Sequence, residues 1–514
     1  MVIKLILLAV FFAVMVGVGL AYRRSAANVS GFVLGGRSVG PWLTAFAYGT
    51  SYFSAVIFVG YAGQFGWRFG LASTWIGLGN AFIGSLLAWV LLGRRTRIMT
   101  QHLGSATMPQ FFERRFDSRA LKLAASLIIF IFLIPYTASL YNGLSRLFGM
   151  AFDVDYTICI AVMAVLTAVY VIAGGYMATA VNDFIQGIIM LFGIVLIIGS
   201  VLKIHGGFLG SLAALAEVSD ETVSSIPGVF NSFFGPDPLS LFGVVILTSL
   251  GTWGLPQMVQ KFYAIKDEKS IHTGTIISTF FAIVVAGGCY FLGGFGRIFP
   301  VDVASSGYDA VVPTMLSQLS PFVIGITLIL VLSASMSTLS SLVLTSSSTL
   351  TLDFIAPTIY KKDKEKKNLL TIRIFIAVFI LISAVIAILQ YRYKIAFIAQ
   401  LMGLSWGALA GSFLAPFLYS LYWKRTTKLS CIVSFIWGSG IMVLNMFFGP
   451  HFPALLQSPI NCGAFAMLGG LVIVPVVSLL SRAPSKEETE KIFSCYTRTV
   501  TVPVTEALEK DAQN

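Results

Sequence analysis

Apolar residues come in runs of about twenty along this chain, separated by short clusters of charge, glycine and proline. A helix rising 1.5 Å per residue crosses roughly 30 Å of hydrocarbon in such a run. The pattern predicts about thirteen spans, at residues 3–22, 40–63, 70–93, 121–149, 154–175, 178–202, 238–262, 271–298, 321–350, 369–390, 394–422, 429–450 and 458–481. A bilayer offers no water to open backbone groups, so segments of this length must be helices, and the expected fold class is all-α and integral to the membrane.

Charge between the runs alternates in density. YRRS (22–25), GRRTR (93–97) with ERRFDSR (113–119), KFYAIKDEK (261–269), YKKDKEKK (360–367), WKRTTK (423–428) and the tail from Arg482 hold most of the 34 Lys and Arg. The connection at 203–237 sets Glu217, Asp220, Glu221 and Asp237 against Lys203 alone. The positive-inside rule then places the N-terminus outside and the C-terminus in the cytoplasm, in a multi-pass protein of the cell membrane. Residues 1–482 are expected to form one transmembrane domain. Residues 483–514 form a polar cytoplasmic tail that cannot bury a core of its own.

Composition agrees with the pattern: 57% hydrophobic, 11% charged and a mean hydropathy of +0.87 over 514 residues. A net charge of +12 would suit nucleic acid, but the basic residues are scattered over alternate loops without aromatic platforms between them. Membrane lipid is the expected partner of the lysine cluster 361–367. MPQFFERRF (108–116) and VVPTMLSQLSP (311–321) read as short interfacial helices. Five separated cysteines suggest neither disulfides nor a zinc site. The opening run ends in arginines rather than a small-residue cleavage site, and reads as a retained first span.

Chemistry is concentrated in three places. AYGTSYFSA (47–55) and SLGTWGLPQ (249–257) each put a Gly-Thr pair and a bulky aromatic in mid-span, and Pro256 cannot donate to a helix ladder. They lie five spans apart, so the two halves run in opposite directions, as in a transporter whose site forms where matching helices break. In SASMSTLSS (333–341), Ala334, Ser337, Thr338 and Ser341 share one helical face, and carbonyls with hydroxyls suit a small hard cation. Ser346–Ser348 are expected only to bond their own helix. Asp183 in TAVNDFIQG lies within a span, facing a partner, an ion or a water path, or else capping a helix near the inner surface.

FVLGGRSVGPWLTAFAYGTSYFSA, VIAGGYMATAVNDFIQG, GLPQMVQKFYAIKD and ASMSTLSS together resemble the sodium:solute symporter family. The resemblance runs from about residue 3 to 480 and implies a LeuT-type fold of two inverted five-helix repeats, about 40–202 and 238–422, with one helix before and two after. It implies Na+ as coupling ion, held by the carbonyls of Thr50, Phe53 and Ala334 and the hydroxyls of Ser337 and Thr338. A second sodium, present in some members, would use Asp183, Ser337, Ser340 and Ser341. The solute would be a small organic molecule, an amino acid such as proline or a carboxylate such as pantothenate or a monocarboxylate, against Tyr48, Ser54, Tyr136, Trp253 and Gln257. Of these, Tyr136 matches a family position and the others adjoin the breaks. Proline members carry an aspartate where this chain has Tyr52, and a tryptophan and a tyrosine where it has Thr248 and Thr252; GLPQ resembles the pantothenate type.

Other classes fit less well. The four histidines (102, 205, 272, 451) map to loops and no catalytic constellation or phosphate loop accompanies them, so no enzyme is expected. A channel would show a repeated filter motif rather than two inverted halves. A proton-coupled carrier on the same fold, with Asp183 taking the proton, is the alternative. No obligate protein partner is evident.

Overall fold

The computed structural model describes residues 2–152, 155–221, 223–360, 365–393 and 398–497. Residues 361–364 of the lysine cluster, the start of the eleventh expected span at 394–397 and residues 498–514 of the tail lie outside the described residues. Among those described, the chain is helical with no strand beyond two isolated bridges.

Among the described residues, ten helices are long and apolar enough to cross a membrane, eleven if one bent pair counts as a single span. That is fewer than the thirteen expected, and the reason is that helices run together. We label α1 Val2–Ala21, α2 Pro41–Tyr52, α3 Val56–His102, α4 Arg119–Phe152, α5 Tyr156–Ile204, α6 Pro238–Gly254, α7 Pro256–Ala264, α8 Glu268–Ile298, α9 Pro321–Thr349, α10 Glu365–Tyr393, α11 Ile398–Tyr422, α12 Lys428–Phe448 and α13 Pro459–Leu480. α3 and α5 have 47 and 49 residues, roughly 70 Å of helix at 1.5 Å per residue, more than twice the hydrocarbon thickness. Each turns at a glycine with a left-handed backbone: Gly70 (φ 61°) and Gly175 (φ 57°). A Cβ at Gly70 would lie 2.1 Å from the Phe230 carbonyl oxygen, and one at Gly175 would lie 2.9 Å from the Phe32 ring. Only glycine fits either turn.

The two expected breaks are present. α2 ends where Phe53 adopts an extended backbone (φ −90°, ψ 125°), and the amide of Ala55, at the restart, donates to Ser335 Oγ at 3.0 Å. α6 and α7 meet at 45° about Leu255, with Pro256 in the first turn of α7, where its missing amide costs nothing. α9 and α11 are almost wholly buried, whereas α1 exposes most of its surface. Those two helices form the interior, and α9 packs against α2, α4 and α5.

The segment 108–116 is a helix, but Phe111 and Phe112 pack onto Phe413, Phe417 and Phe435 instead of lying on a surface. His102 and His272 stand within helices rather than loops. In the tail, Lys486–Phe493 is helical and docked: Phe493 is buried beneath Arg115, and Tyr496 Oη donates to the Arg95 carbonyl at 3.1 Å.

Candidate ion and solute site

The last carbonyls of a helix have no amide further along to accept from. At the end of α2 they meet α9. Thr338 Oγ1 lies 3.2 Å from the Thr50 carbonyl oxygen, 3.1 Å from that of Phe53 and 3.0 Å from that of Ala334 on its own helix. Ser337 Oγ donates to Thr50 Oγ1 at 2.7 Å. All five residues expected at the main ion position are therefore together and buried. One hydroxyl proton cannot serve three carbonyls at once. The cluster offers neutral oxygens in excess of donors, the environment a small hard cation needs.

About one helical turn further along α9 the arrangement differs from the second-ion expectation. Ser340 Oγ donates back to the Ser337 carbonyl at 2.9 Å. Ser341 Oγ meets Ser51 Oγ at 2.8 Å and accepts from Lys261 Nζ at 3.0 Å. Lys261 comes from α7, and its Nζ is 3.9 Å from Asp183 Oδ2, with the two side chains 3% and 1% exposed. The ammonium also lies 5.1 Å from the centre of the Tyr176 ring. Asp183 thus neither snorkels nor caps a helix. Its carboxylate oxygens accept no hydrogen bond and face this lysine. The sequence pattern puts Lys261 at the inner edge of the span 238–262, counted among the loop charges 261–269.

The expected solute residues divide into two groups. Tyr48 Oη donates to the Gly84 carbonyl at 2.8 Å, Trp253 Nε1 to the Ile83 carbonyl at 2.9 Å, and Ser54 Oγ accepts from the Val56 amide at 3.3 Å. These three already have partners. Tyr136 Oη and both polar atoms of the Gln257 amide are buried with none. Seven further tyrosines are buried with unpartnered hydroxyls, Tyr52, Tyr61, Tyr141, Tyr156, Tyr176, Tyr263 and Tyr290; of these, Tyr61 and Tyr290 lie with Tyr136 and Thr248 around the hydroxyl of Tyr52. Trp406 of α11 contacts the rings of Tyr52 and Tyr136. Unsatisfied buried phenols are costly and call for an explanation, and nothing local in the sequence marks them. The cavity beside them, lined by Tyr48, Tyr52, Phe53, Gly84, Thr252 and Phe281 among others, has a volume of about 10 Å³. Ser346 Oγ and Ser347 Oγ, expected to bond their own helix, have no partner either, whereas Ser348 bonds the Thr345 carbonyl as expected.

Two broken helices, an oxygen cluster at the first break and unpartnered polar side chains beside it define a membrane carrier. The family model described as the sodium:solute symporter family matches residues 32–438. The chain belongs to that family, a family of symporters with Na+ as coupling ion. A sodium/proline symporter of Staphylococcus aureus is 30% identical over 449 residues, 85% of each chain, and that of strain JH9 is 30% identical over 450. Among solved structures, a Na+-coupled sialic acid symporter in a substrate-bound outward-open state aligns with a TM-score of 0.75 at 16% identity, covering 94% of this chain and 98% of its own. At that identity the likeness is one of fold.

Proposed function

We propose that this chain carries a small organic solute into the cell together with sodium, by alternating access. The main sodium ion is held by the carbonyls of Thr50, Phe53 and Ala334 and the hydroxyls of Ser337 and Thr338. The observation that carries this reading is the convergence of three carbonyls on one hydroxyl at 3.0–3.2 Å. Sodium joins α2 to α9, favours the outward-open state and organises the solute pocket, which Tyr136 and Gln257 line with Tyr48, Ser54 and Trp253. The coupling is reciprocal: solute tightens sodium binding as much as sodium tightens solute binding.

The breaks at Phe53 and Leu255 support the LeuT-type organisation of inverted repeats at 40–202 and 238–422, with one helix before and two after. The distribution of Lys and Arg supports an outer N-terminus and a cytoplasmic tail at 483–514. The solute is an amino acid such as proline or a carboxylate. Half-helix N-termini hold carboxylates, and the two symporters of Staphylococcus aureus are named for proline. Thermal stabilisation of the purified protein by proline, pantothenate, short monocarboxylates and sugars, each in sodium and in potassium, tests this. A shift confined to one acid in sodium is expected. A shift equal in both cations, or given by sugars alone, rejects it.

A further inference from the structure

The position a second sodium would need is already provided with a positive charge by the protein. Lys261 Nζ reaches Ser341 Oγ at 3.0 Å and stands 3.9 Å from Asp183 Oδ2, with the ring of Tyr176 beside it. Two of the four residues expected around a second ion thus face this ammonium, and Ser340 has turned to its own helix. Lys261 lies on α7, in the second half of the helix broken at Pro256, and the break directs α7 towards α2 and α9. The lysine is buried in a transmembrane bundle, where an isolated ammonium is not tolerated, and Asp183 is its compensating charge.

From this geometry we infer that Lys261 takes the place of the second sodium, so that the chain binds one sodium ion at the main site and carries one per solute. The inference rests on the main-site reading above. Asp183 and Lys261 together are neutral. A sodium ion added beside them would leave a net positive charge in a desolvated site, where repulsion from the Lys261 ammonium offsets its attraction to Asp183. The lysine also keeps α7 joined to α5 and α9 through Asp183 and Ser341. The inner half of the broken helix is therefore anchored by a covalently tethered cation instead of a diffusible one.

The test counts radioactive sodium bound per chain, using purified full-length protein and sodium alone. The wild type should bind one ion, and Thr338→Val should need about 10- to 100-fold more sodium to bind it. Lys261→Ala, confirmed folded by a single gel-filtration peak, should bind two, and adding Asp183→Asn should return the count to one. Two ions on the wild type, or one on folded Lys261→Ala, overturns the inference and leaves the main site intact. No ion on the wild type overturns the main-site reading itself. If Lys261→Ala does not fold, Lys261→Gln, which removes the charge and keeps a polar chain, takes its place: two ions on the wild type, or one on folded Lys261→Gln, refutes the inference.

Discussion

Thr338→Val is the sharpest perturbation of the main site. It exchanges a hydroxyl for a methyl of nearly the same size, at a point 3.2, 3.1 and 3.0 Å from the carbonyls of Thr50, Phe53 and Ala334. A polar contact to a charged group is worth about 1.5–3 kcal/mol. At about 1.4 kcal/mol per tenfold, the sodium concentration for half-saturation should rise between about 10- and 100-fold. Stability without sodium should fall by about 1–3 kcal/mol, since a buried carbonyl loses its hydroxyl donor. Thr345→Val is the control on the same helix. Its hydroxyl donates to Gln260 Oε1 at 2.7 Å, so the change strands a buried acceptor and costs about 1–3 kcal/mol of stability without touching the ion cluster. The assay is a sodium titration of the thermal midpoint of purified protein. A Thr338→Val half-saturation within a factor of two of wild type, or an equal displacement in Thr345→Val, would refute the reasoning.

Three further outcomes follow from the geometry. Gly175→Ala would place a Cβ 2.9 Å from the Phe32 ring with φ at +57° and should cost at least about 1–2 kcal/mol, seen as a lower thermal midpoint; an unchanged midpoint would mean that the turn in α5 tolerates a side chain. Tyr136→Phe removes a hydroxyl that has no partner, so stability should hold while solute affinity drops about fivefold, the worth of about 1 kcal/mol; equal affinity would remove Tyr136 from the pocket. Burial alone would raise the Asp237 carboxyl, but the Ser240 hydroxyl and amide and the Arg68 guanidinium hold it below its usual range. Its contribution is therefore present above the unfolded value near 3.9 and fades as pH falls through the lower folded value. At 40% exposure it amounts to under about 1 kcal/mol, and Asp237→Asn should flatten the acid side of a midpoint-against-pH curve; an unchanged acid side would rule it out.

Much of this was legible in the sequence because it is local. The apolar runs mark the helices, and Gly49–Thr50 and Leu255–Pro256 mark the breaks, since backbone chemistry ends a helix wherever the chain lies. The hydroxyls of Ser337, Thr338 and Ser341 were legible because they share one face of α9, whereas the carbonyls of Thr50 and Phe53 beside them followed only from the family resemblance. What escaped depends on packing between distant segments. Lys261 counted as a loop charge, because a tally of cations by connection cannot see that α7 turns inward at 45°. Asp183 alone could equally have been a cap, and only Lys261, 78 residues away, decides between the readings. Tyr52, Tyr61, Tyr136 and Tyr290 come from four stretches whose hydroxyls meet only in the fold. The count of long apolar helices is below thirteen because α3 and α5, which turn at Gly70 and Gly175, are each continuous through two of the expected spans.

The cavity of about 10 Å³ beside Tyr52 and Phe281 has a kinetic meaning. It holds scarcely one water, whereas a site for a small organic molecule spans roughly 300 Å³ or more. A solute would therefore need this cavity to open, and where the open arrangement is a minority its apparent dissociation constant is the intrinsic one divided by that population. If about one molecule in a hundred is open, apparent affinity is a hundredfold weaker than the contacts alone would give. Affinities compared between relatives would rank how readily each chain opens as much as how well its pocket fits.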